Sequence, residues 1–175
     1  MAFLLTTVLL ALSMGLVILT NVESAVAGNF ERAAEAQKAA DAGVQIAVGR
    51  LGAAEWSEIF LVSEPACTTP DGGPIAPTGF YPIDRWGPNS PVWRLYACIL
   101  PIGVLPSDTT SRTPTVAVWL ADDPSEADGD PILDTNGRVT VRAEAFGSAG
   151  SHAAIEATVA QADADVRILS WRVLR

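Results

Sequence analysis

Oxygen-bearing side chains are concentrated in one stretch of this sequence, where they could bind a metal ion. Between positions 122 and 136 the stretch contains Asp122, Asp123, Glu126, Asp128, Asp130, Asp134 and Asn136. Calcium takes roughly six to eight oxygen ligands, and the later part of the stretch supplies several from one loop. The predicted calcium ligands are Asp128, Asp130, Asp134 and Asn136. The stretch does not match the EF-hand loop, which ends on a fixed glutamate, so a solvated hairpin loop is the alternative interpretation.

Other binding or catalytic chemistry has little support in the sequence. The only histidine is His152, which we interpret as an exposed residue at a strand edge. No nucleophile-elbow, phosphate-loop or zinc-ligand spacing occurs, so we expect no enzymatic activity and no cofactor besides the hypothetical calcium ion. The net charge is −9. This charge argues against nucleic acid as a partner, because affinity for nucleic acid depends mainly on Lys and Arg side chains that neutralise phosphates.

The beginning of the chain is apolar and has the length of a membrane span. Residues 1–22 carry no ionisable side chain and consist mostly of Leu, Val, Ala, Ile, Met and Phe. A helix rising about 1.5 Å per residue over this stretch spans the roughly 30 Å hydrocarbon layer of a bilayer. A cleaved secretory signal is the alternative, but the stretch lacks a basic n-region and a clear cleavage site. We therefore predict a retained membrane helix.

The two cysteines of the chain, Cys67 and Cys98, both follow this apolar stretch. A retained membrane helix places them in the part of the protein that lies outside the membrane. An even number of cysteines in an exported chain favours a disulfide. Two free buried cysteines are the alternative, because cysteine is common in protein cores.

An amphipathic pattern continues directly from the apolar stretch. Apolar and small residues recur every three or four positions, which indicates one stripe of a helix. The stripe consists of Val22, Val26, Phe30, Ala33, Ala36, Ala40, Val44, Ala47 and Leu51. We therefore predict one helix over residues 1–52, roughly 75–80 Å long by helical rise. Its first half is apolar on all sides, and we expect the stripe of its second half to pack on the rest of the chain.

The remainder of the chain reads as loops followed by strands. Prolines and glycines recur through residues 53–90, which is typical of loop structure. Strand-like runs occupy residues 92–102, 115–120, 137–145, 154–161 and 166–174. The third run alternates, with Val139, Val141, Ala143 and Ala145 on one face. Short gaps between the last three runs favour antiparallel hairpins. The predicted fold class is α+β, a long N-terminal helix packed on a small antiparallel β-sheet head.

Four segments of the sequence carry a resemblance to a known family. They are MAFLLTTVLL at positions 1–10, AADAGV at 39–44, DTNGRVTVR at 134–142 and ILSWR at 168–172. Together they resemble type IV pilins, and in particular the PilX-type branch of minor pilins. The resemblance covers the helix and the last forty or so residues, whereas residues 53–133 match only as a disulfide-tethered variable loop region.

The resemblance implies a structural subunit of an extracellular pilus-like filament with the pilin fold. Residues 1–24 would be an apolar half-helix for the membrane and the filament core, residues 25–52 an amphipathic half-helix on the head, and residues 53–175 the β-rich head. A prepilin peptidase would remove a leader before Met1, whose new amine would be methylated. The filament-core residues would be Phe3, Leu4, Leu5, Val8, Leu9, Leu10, Leu12, Leu16, Val17 and Leu19.

The resemblance also implies the partners of the chain and its place in the cell. The unassembled subunit would be held in the inner membrane, and the pilus assembly machinery would build it into a homo-oligomeric helical filament. Most pilins carry a glutamate where this chain has Leu5. Lack of that glutamate is typical of tip-type minor subunits. The alternatives are a minor or tip pseudopilin of a secretion or pilus system, and a single-pass membrane-anchored binding module that does not polymerise.

Overall fold

One long helix forms the N-terminal part of the protein. The computed structural model describes residues 2–56, 59–60, 67–69, 72–75, 91–99, 113–123, 126, 129–162 and 165–174. The helix α1 extends over Ala2–Leu51 and contains 50 residues, which corresponds to about 75 Å of helical rise. The predicted long N-terminal helix is therefore confirmed. Met1 lies outside the described residues, so its role as a processed and methylated terminus stays a prediction.

Five strands form one antiparallel sheet in which each strand pairs with the next along the chain. They are β1 (Arg94–Ile99), β2 (Thr115–Asp122), β3 (Arg138–Phe146), β4 (His152–Ala162) and β5 (Asp165–Leu174). Each strand coincides with one of the predicted runs, and the ends differ by at most three residues. Together with α1, the sheet confirms the predicted α+β fold.

The second half of α1 packs on one face of the sheet. Its buried residues are Ala36, Ala40, Val44, Ala47 and Leu51. They form a core with side chains from the middle three strands of the sheet. The predicted alternation in β3 is confirmed, because the four residues assigned to its inner face are all fully buried: Val139, Val141, Ala143 and Ala145.

The contact with the sheet begins later along α1 than the apolar stripe does. Val26 and Phe30 belong to the stripe, yet their side chains are 62% and 78% exposed. The buried positions begin at Ala36 and end at Leu51, so the sheet covers about 24 Å of helix. Helical periodicity shows which side of a helix is apolar but not where the surface that covers it ends. The stripe residues before Ala36 therefore extend past the sheet.

The opposite face of the sheet is covered by a second apolar cluster. Its buried members are Cys67, Trp93, Ala117, Trp119 and Ala121. The sulfur atoms of Cys67 and Cys98 lie 2.03 Å apart, in agreement with the predicted disulfide. The bond joins the segment before β1 to β1 itself and closes a loop with a sequence separation of 31. A loop of this size stabilises the folded state by about 3–4 kcal/mol in the chain-entropy account.

Gly43 lies where α1 comes closest to the sheet. A Cβ atom added at this position would lie 2.6 Å from Val116 Cγ1 and 3.1 Å from Ala143 Cβ. Both distances are shorter than the about 3.5–4.0 Å at which two carbon atoms make a favourable contact. Gly49 is on the exposed side of the same helix, and a Cβ atom there would meet nothing within 4 Å. Gly43 and Gly49 therefore form a matched pair, in which the same alanine substitution tests a close contact at one position and open space at the other.

Replacing Gly43 by alanine should lower the thermal midpoint of unfolding of the full chain in detergent, whereas Gly49→Ala should raise it. At Gly43 the added methyl group overpacks the contact between helix and sheet, at a cost of about 1–3 kcal/mol. At Gly49 only the helix propensity changes, which favours alanine by about 0.5–1 kcal/mol. Thermal melts followed by circular dichroism measure both effects. Shifts of the same sign and size in the two variants would contradict the close approach at Gly43.

Candidate functional site

The first half of α1 exposes apolar side chains on all sides. All ten residues predicted for the filament core are exposed, with accessible fractions from 54% at Leu19 to 80% at Phe3. Met14 and Ile18 are exposed as well. By length and composition this helix is able to cross a membrane, and no part of its apolar segment is buried against the rest of the chain. A contiguous apolar surface of this size marks a site of contact with lipid or with another protein.

The hydroxyl groups within this apolar half form hydrogen bonds inside the helix. Thr6 and Thr7 each donate to the backbone carbonyl three residues earlier, at 2.9 Å. Ser13 and Thr20 donate to the carbonyl four residues earlier, at 2.8 and 2.9 Å. Such bonds satisfy the hydroxyl donors without water, as a lipid or helix-packed environment requires. These four hydroxyl-bearing residues are therefore compatible with a fully apolar neighbourhood.

A second exposed apolar surface lies on the edge strand β5. Four of its apolar side chains are between 38% and 53% exposed: Ile168, Leu169, Trp171 and Val173. Trp171 and Val173 also line a shallow groove between β5 and α1, which Gln37 and Lys38 border from the helix. Only one side of β5 is paired within the sheet. Long apolar edge strands present unpaired backbone groups and favour association with another surface.

Three carboxylates converge at the end of β2, in the connection to β3. One carboxylate oxygen from each of Asp122, Glu126 and Asp134 lies within 4.8 Å of the other two. We refer to these three residues as the acidic cluster. Among the predicted calcium ligands, Asp134 belongs to the cluster, whereas Asp130 does not. Asp130 Oδ1 instead accepts a hydrogen bond from the Ile132 N–H.

The other two predicted calcium ligands are Asn136 and Asp128. Asn136 is exposed, and its backbone forms a hydrogen bond with the Asp134 carboxyl. Asp128 lies outside the described residues. The structure therefore brings Asp134 together with two carboxylates that the sequence-based ligand set omitted, Asp122 and Glu126.

Hydrogen bonds to the loop backbone position two members of the acidic cluster. Asp134 Oδ1 accepts from the Gly137 and Arg138 N–H groups, at 2.9 and 3.2 Å. Gly137 adopts a φ of 68°, a left-handed conformation that glycine tolerates best. The Glu126 carboxylate accepts from the Thr135 N–H and hydroxyl groups. Both carboxylates are therefore held in place by the chain just before β3.

Asp122 is the buried member of the acidic cluster. Its relative exposure is 0%, and its Oδ1 accepts a hydrogen bond from the Asp123 N–H. Its Oδ2 atom receives no N–H or hydroxyl donor among the described residues, and its side chain shares a hydrogen bond with the Glu126 carboxyl. Burial, together with the negative charge of Glu126, raises the pKa of Asp122 to about 8. Burial also raises the pKa of Asp134, against hydrogen bonds from Arg138 and Gly137 that lower it.

One signal in the sequence identifies Asp122 as a buried residue. The segment TVAVWLAD of β2 has no alternation of apolar and polar residues, and all eight positions are buried. An unbroken apolar run is typical of a strand whose sheet is covered on both faces. A carboxylate at the end of such a strand is then shielded from water. No comparable pattern in the sequence predicts that Glu126, in the segment after β2, lies beside Asp122.

His152, the only histidine, forms part of a charged network on the sheet. It is the first residue of β4, and its Nε2 atom lies 3.1 Å from Glu144 Oε2. Glu144 is fully buried, and Arg142 Nε lies 2.6 Å from its other carboxylate oxygen. The Arg142 guanidinium also stacks 5.6 Å from the Trp93 ring centre. This network places the Arg142 guanidinium and the His152 ring beside a buried carboxylate, which would be costly to bury alone.

Asp122→Asn should flatten the pH dependence of folding stability between about pH 4 and pH 8. Because the pKa of Asp122 is raised from 3.8 to about 8 on folding, the folded state holds a proton that the unfolded state releases. The free energy of unfolding of the wild type should therefore fall as pH rises through this window. Asparagine resembles the protonated carboxyl and does not titrate, so the variant lacks this loss.

Urea unfolding of the full chain in detergent, measured across this pH range without divalent cations, tests the effect. Asp41→Asn removes one negative charge from the exposed face of α1 and controls for the change in net charge. If the free energy of unfolding changed with pH in parallel for the wild type and Asp122→Asn, the burial of Asp122 would not be the cause of the pH dependence.

Comparison with protein-family models, with curated proteins and with solved structures finds no match for this chain. Its function is therefore inferred from its own geometry, above all from the exposed apolar half of α1, and from the resemblance of its sequence to type IV pilins.

Proposed function

We propose that this protein is a structural subunit of an extracellular filament of the type IV pilus kind, assembled through the first half of α1. One observation carries the proposal. A helix that is apolar and exposed on all sides over its first half continues without interruption into a half that packs on the sheet. A subunit of this shape can hold its head at the surface of a filament while its helix packs at the centre.

The apolar half of α1 would occupy two environments in turn. Before assembly it would lie in the inner membrane, where its internally bonded hydroxyl groups need no water. Assembly would then exchange lipid for the helices of other subunits. Because lipid tails are as apolar as leucine, this exchange yields little hydrophobic free energy, and close packing must drive it. Gly15 has open space around it, which permits another helix to approach closely at that point.

The head would contribute further contacts between subunits. The apolar side chains of β5 are exposed beside α1, at the unpaired edge of the sheet. Contacts through such a surface would add to the packing of the helices and help to select the neighbouring subunit. This division of roles gives the head a structural function, and we assign the protein no catalytic one.

The sequence favours a minor subunit over the major one. Leu5 stands where most pilins carry a glutamate, and the quoted segments resemble the PilX-type branch. A leucine cannot pair with the terminal amine of a neighbouring subunit, so a chain of this kind suits a position at or near the filament tip. A pseudopilin in a secretion system would use the same helix in the same way. A membrane-anchored binding module would use it only as an anchor.

Leu9→Lys and Val17→Lys should each prevent incorporation of the subunit into filaments while leaving the head folded. Both side chains are more than half exposed on the apolar half, far from the sheet. In a filament core the added charge would be buried among helices without a partner, at a cost of several kcal/mol for each subunit. In a lone membrane anchor the cost is only about 2.5–3.5 kcal/mol on insertion scales.

The measurement is the ratio of this subunit in sheared filaments to the subunit in the membrane fraction of the same cells. Ile46→Lys is the matched control, because Ile46 is a partly exposed apolar residue in the other half of the same helix. Normal filament incorporation of the Leu9→Lys subunit would refute packing of α1 in a filament core. Absence of the wild-type subunit from filaments, in cells that make them, would favour the anchored binding module.

A further inference from the structure

The acidic cluster combines two independent features that point to a bound cation. The first is the convergence of Asp122, Glu126 and Asp134, whose oxygens lie within 4.8 Å of one another. The second is the state of Asp122, which is fully buried and whose Oδ2 receives no N–H or hydroxyl donor among the described residues. Its side-chain hydrogen bond is to the Glu126 carboxyl, and two facing carboxyls need a shared proton or a cation between them. Buried polar atoms almost always have a partner, and an ion is one of the partners that can satisfy them.

Mutual repulsion makes the cluster unfavourable when all three carboxylates are ionised and no cation is near. No ion pair among the described residues joins a Lys, Arg or His side chain to any of the three. Hydrogen bonds hold the carboxylates close together. Thr135 donates to Glu126, and the Gly137 and Arg138 N–H groups donate to Asp134. The described part of the chain thus brings three carboxyls together without placing a positive side chain beside them.

We propose that Asp122, Glu126 and Asp134 form a calcium site that fastens the β2–β3 connection to the end of the sheet. Carboxylate oxygens are hard ligands, which suit calcium and magnesium better than zinc or copper. Calcium lies about 2.3–2.6 Å from its ligands, so oxygens on opposite sides of the ion are about 5 Å apart. The three oxygens lie within 4.8 Å of one another, which is inside that limit. Magnesium requires a tighter octahedron at about 2.0–2.1 Å.

The site joins residues that are distant along the loop. Asp122 ends β2, Glu126 follows four positions later, and Asp134 precedes β3 by four positions. Each carboxylate supplies one or two oxygens, and water completes the roughly six to eight ligands that calcium takes. A bound ion would therefore hold both ends of the connection together and neutralise Asp122 where it is buried. This role does not depend on the proposed filament function, because it concerns only the fold of the head.

Calcium titration of the full chain in detergent by isothermal calorimetry tests the site directly. The wild type should bind calcium, and Asp122→Asn and Glu126→Gln should each weaken binding by at least about tenfold, since even changes beside a ligand cost that much. Asp130→Asn is the matched control, because it removes one charge from the same loop but lies outside the cluster. Its calcium affinity should remain close to that of the wild type.

Thermal unfolding gives a second readout that also reports whether each variant folds. With calcium about 100-fold above its dissociation constant, the wild-type midpoint should rise by about 5–10 °C relative to chelator. Asp122→Asn and Glu126→Gln should melt cooperatively and show little of this rise. No wild-type binding up to about 10 mM calcium, well beyond the weakest extracellular sites, would overturn the proposal. So would loss of binding in Asp130→Asn with retention in Asp122→Asn.

Discussion

The contact between residues 36–51 of α1 and the sheet determines how the rest of the molecule is arranged, because α1 is one continuous helix. Small residues line this contact, and at Gly43 the helix lies so close to β2 and β3 that a methyl group has no room. With one half of the helix held in this way, the other half cannot fold back onto the head. The residues before Ala36 project by about 50 Å, and their apolar side chains must find partners outside this chain.

The apolar half of α1 and the head differ in their content of charged residues. The apolar half carries no ionisable side chain before Glu23, whereas the head contains buried carboxylates. Glu144 is stabilised by the Arg142 guanidinium and by a contact with the His152 ring, both from the same sheet. Asp122 is buried without such a partner among the residues that the structure describes, and it faces two further carboxyls. One buried carboxylate is therefore paired within the chain. The other is neutralised by a proton below about pH 8 or, in our proposal, by a bound cation.

Local patterns in the sequence predicted the elements of the fold well, because each depends on periodicity over neighbouring residues. The long helix, the five strands and the inward face of β3 all follow from spacings of three to four or of two. The start of the helix–sheet contact at Ala36 was not predicted, since it depends on how far the sheet reaches along the helix. The grouping of Asp122 and Glu126 with Asp134 depends on the path of the loop, which acidic composition alone does not specify. The contacts of Glu144 with Arg142 and His152 likewise depend on which residues the strand register brings together.

The claim that the apolar half of α1 packs against helices of other subunits is tested most directly by the composition of surface filaments. Filaments sheared from cells that express this chain at its natural level would be imaged by negative-stain electron microscopy, and their subunits would be identified by mass spectrometry. The account predicts that this chain is a component of the filaments and is depleted from the membrane fraction as assembly proceeds. Filaments that lack the chain, with all of it retained in the membrane as a monomer, would contradict the account.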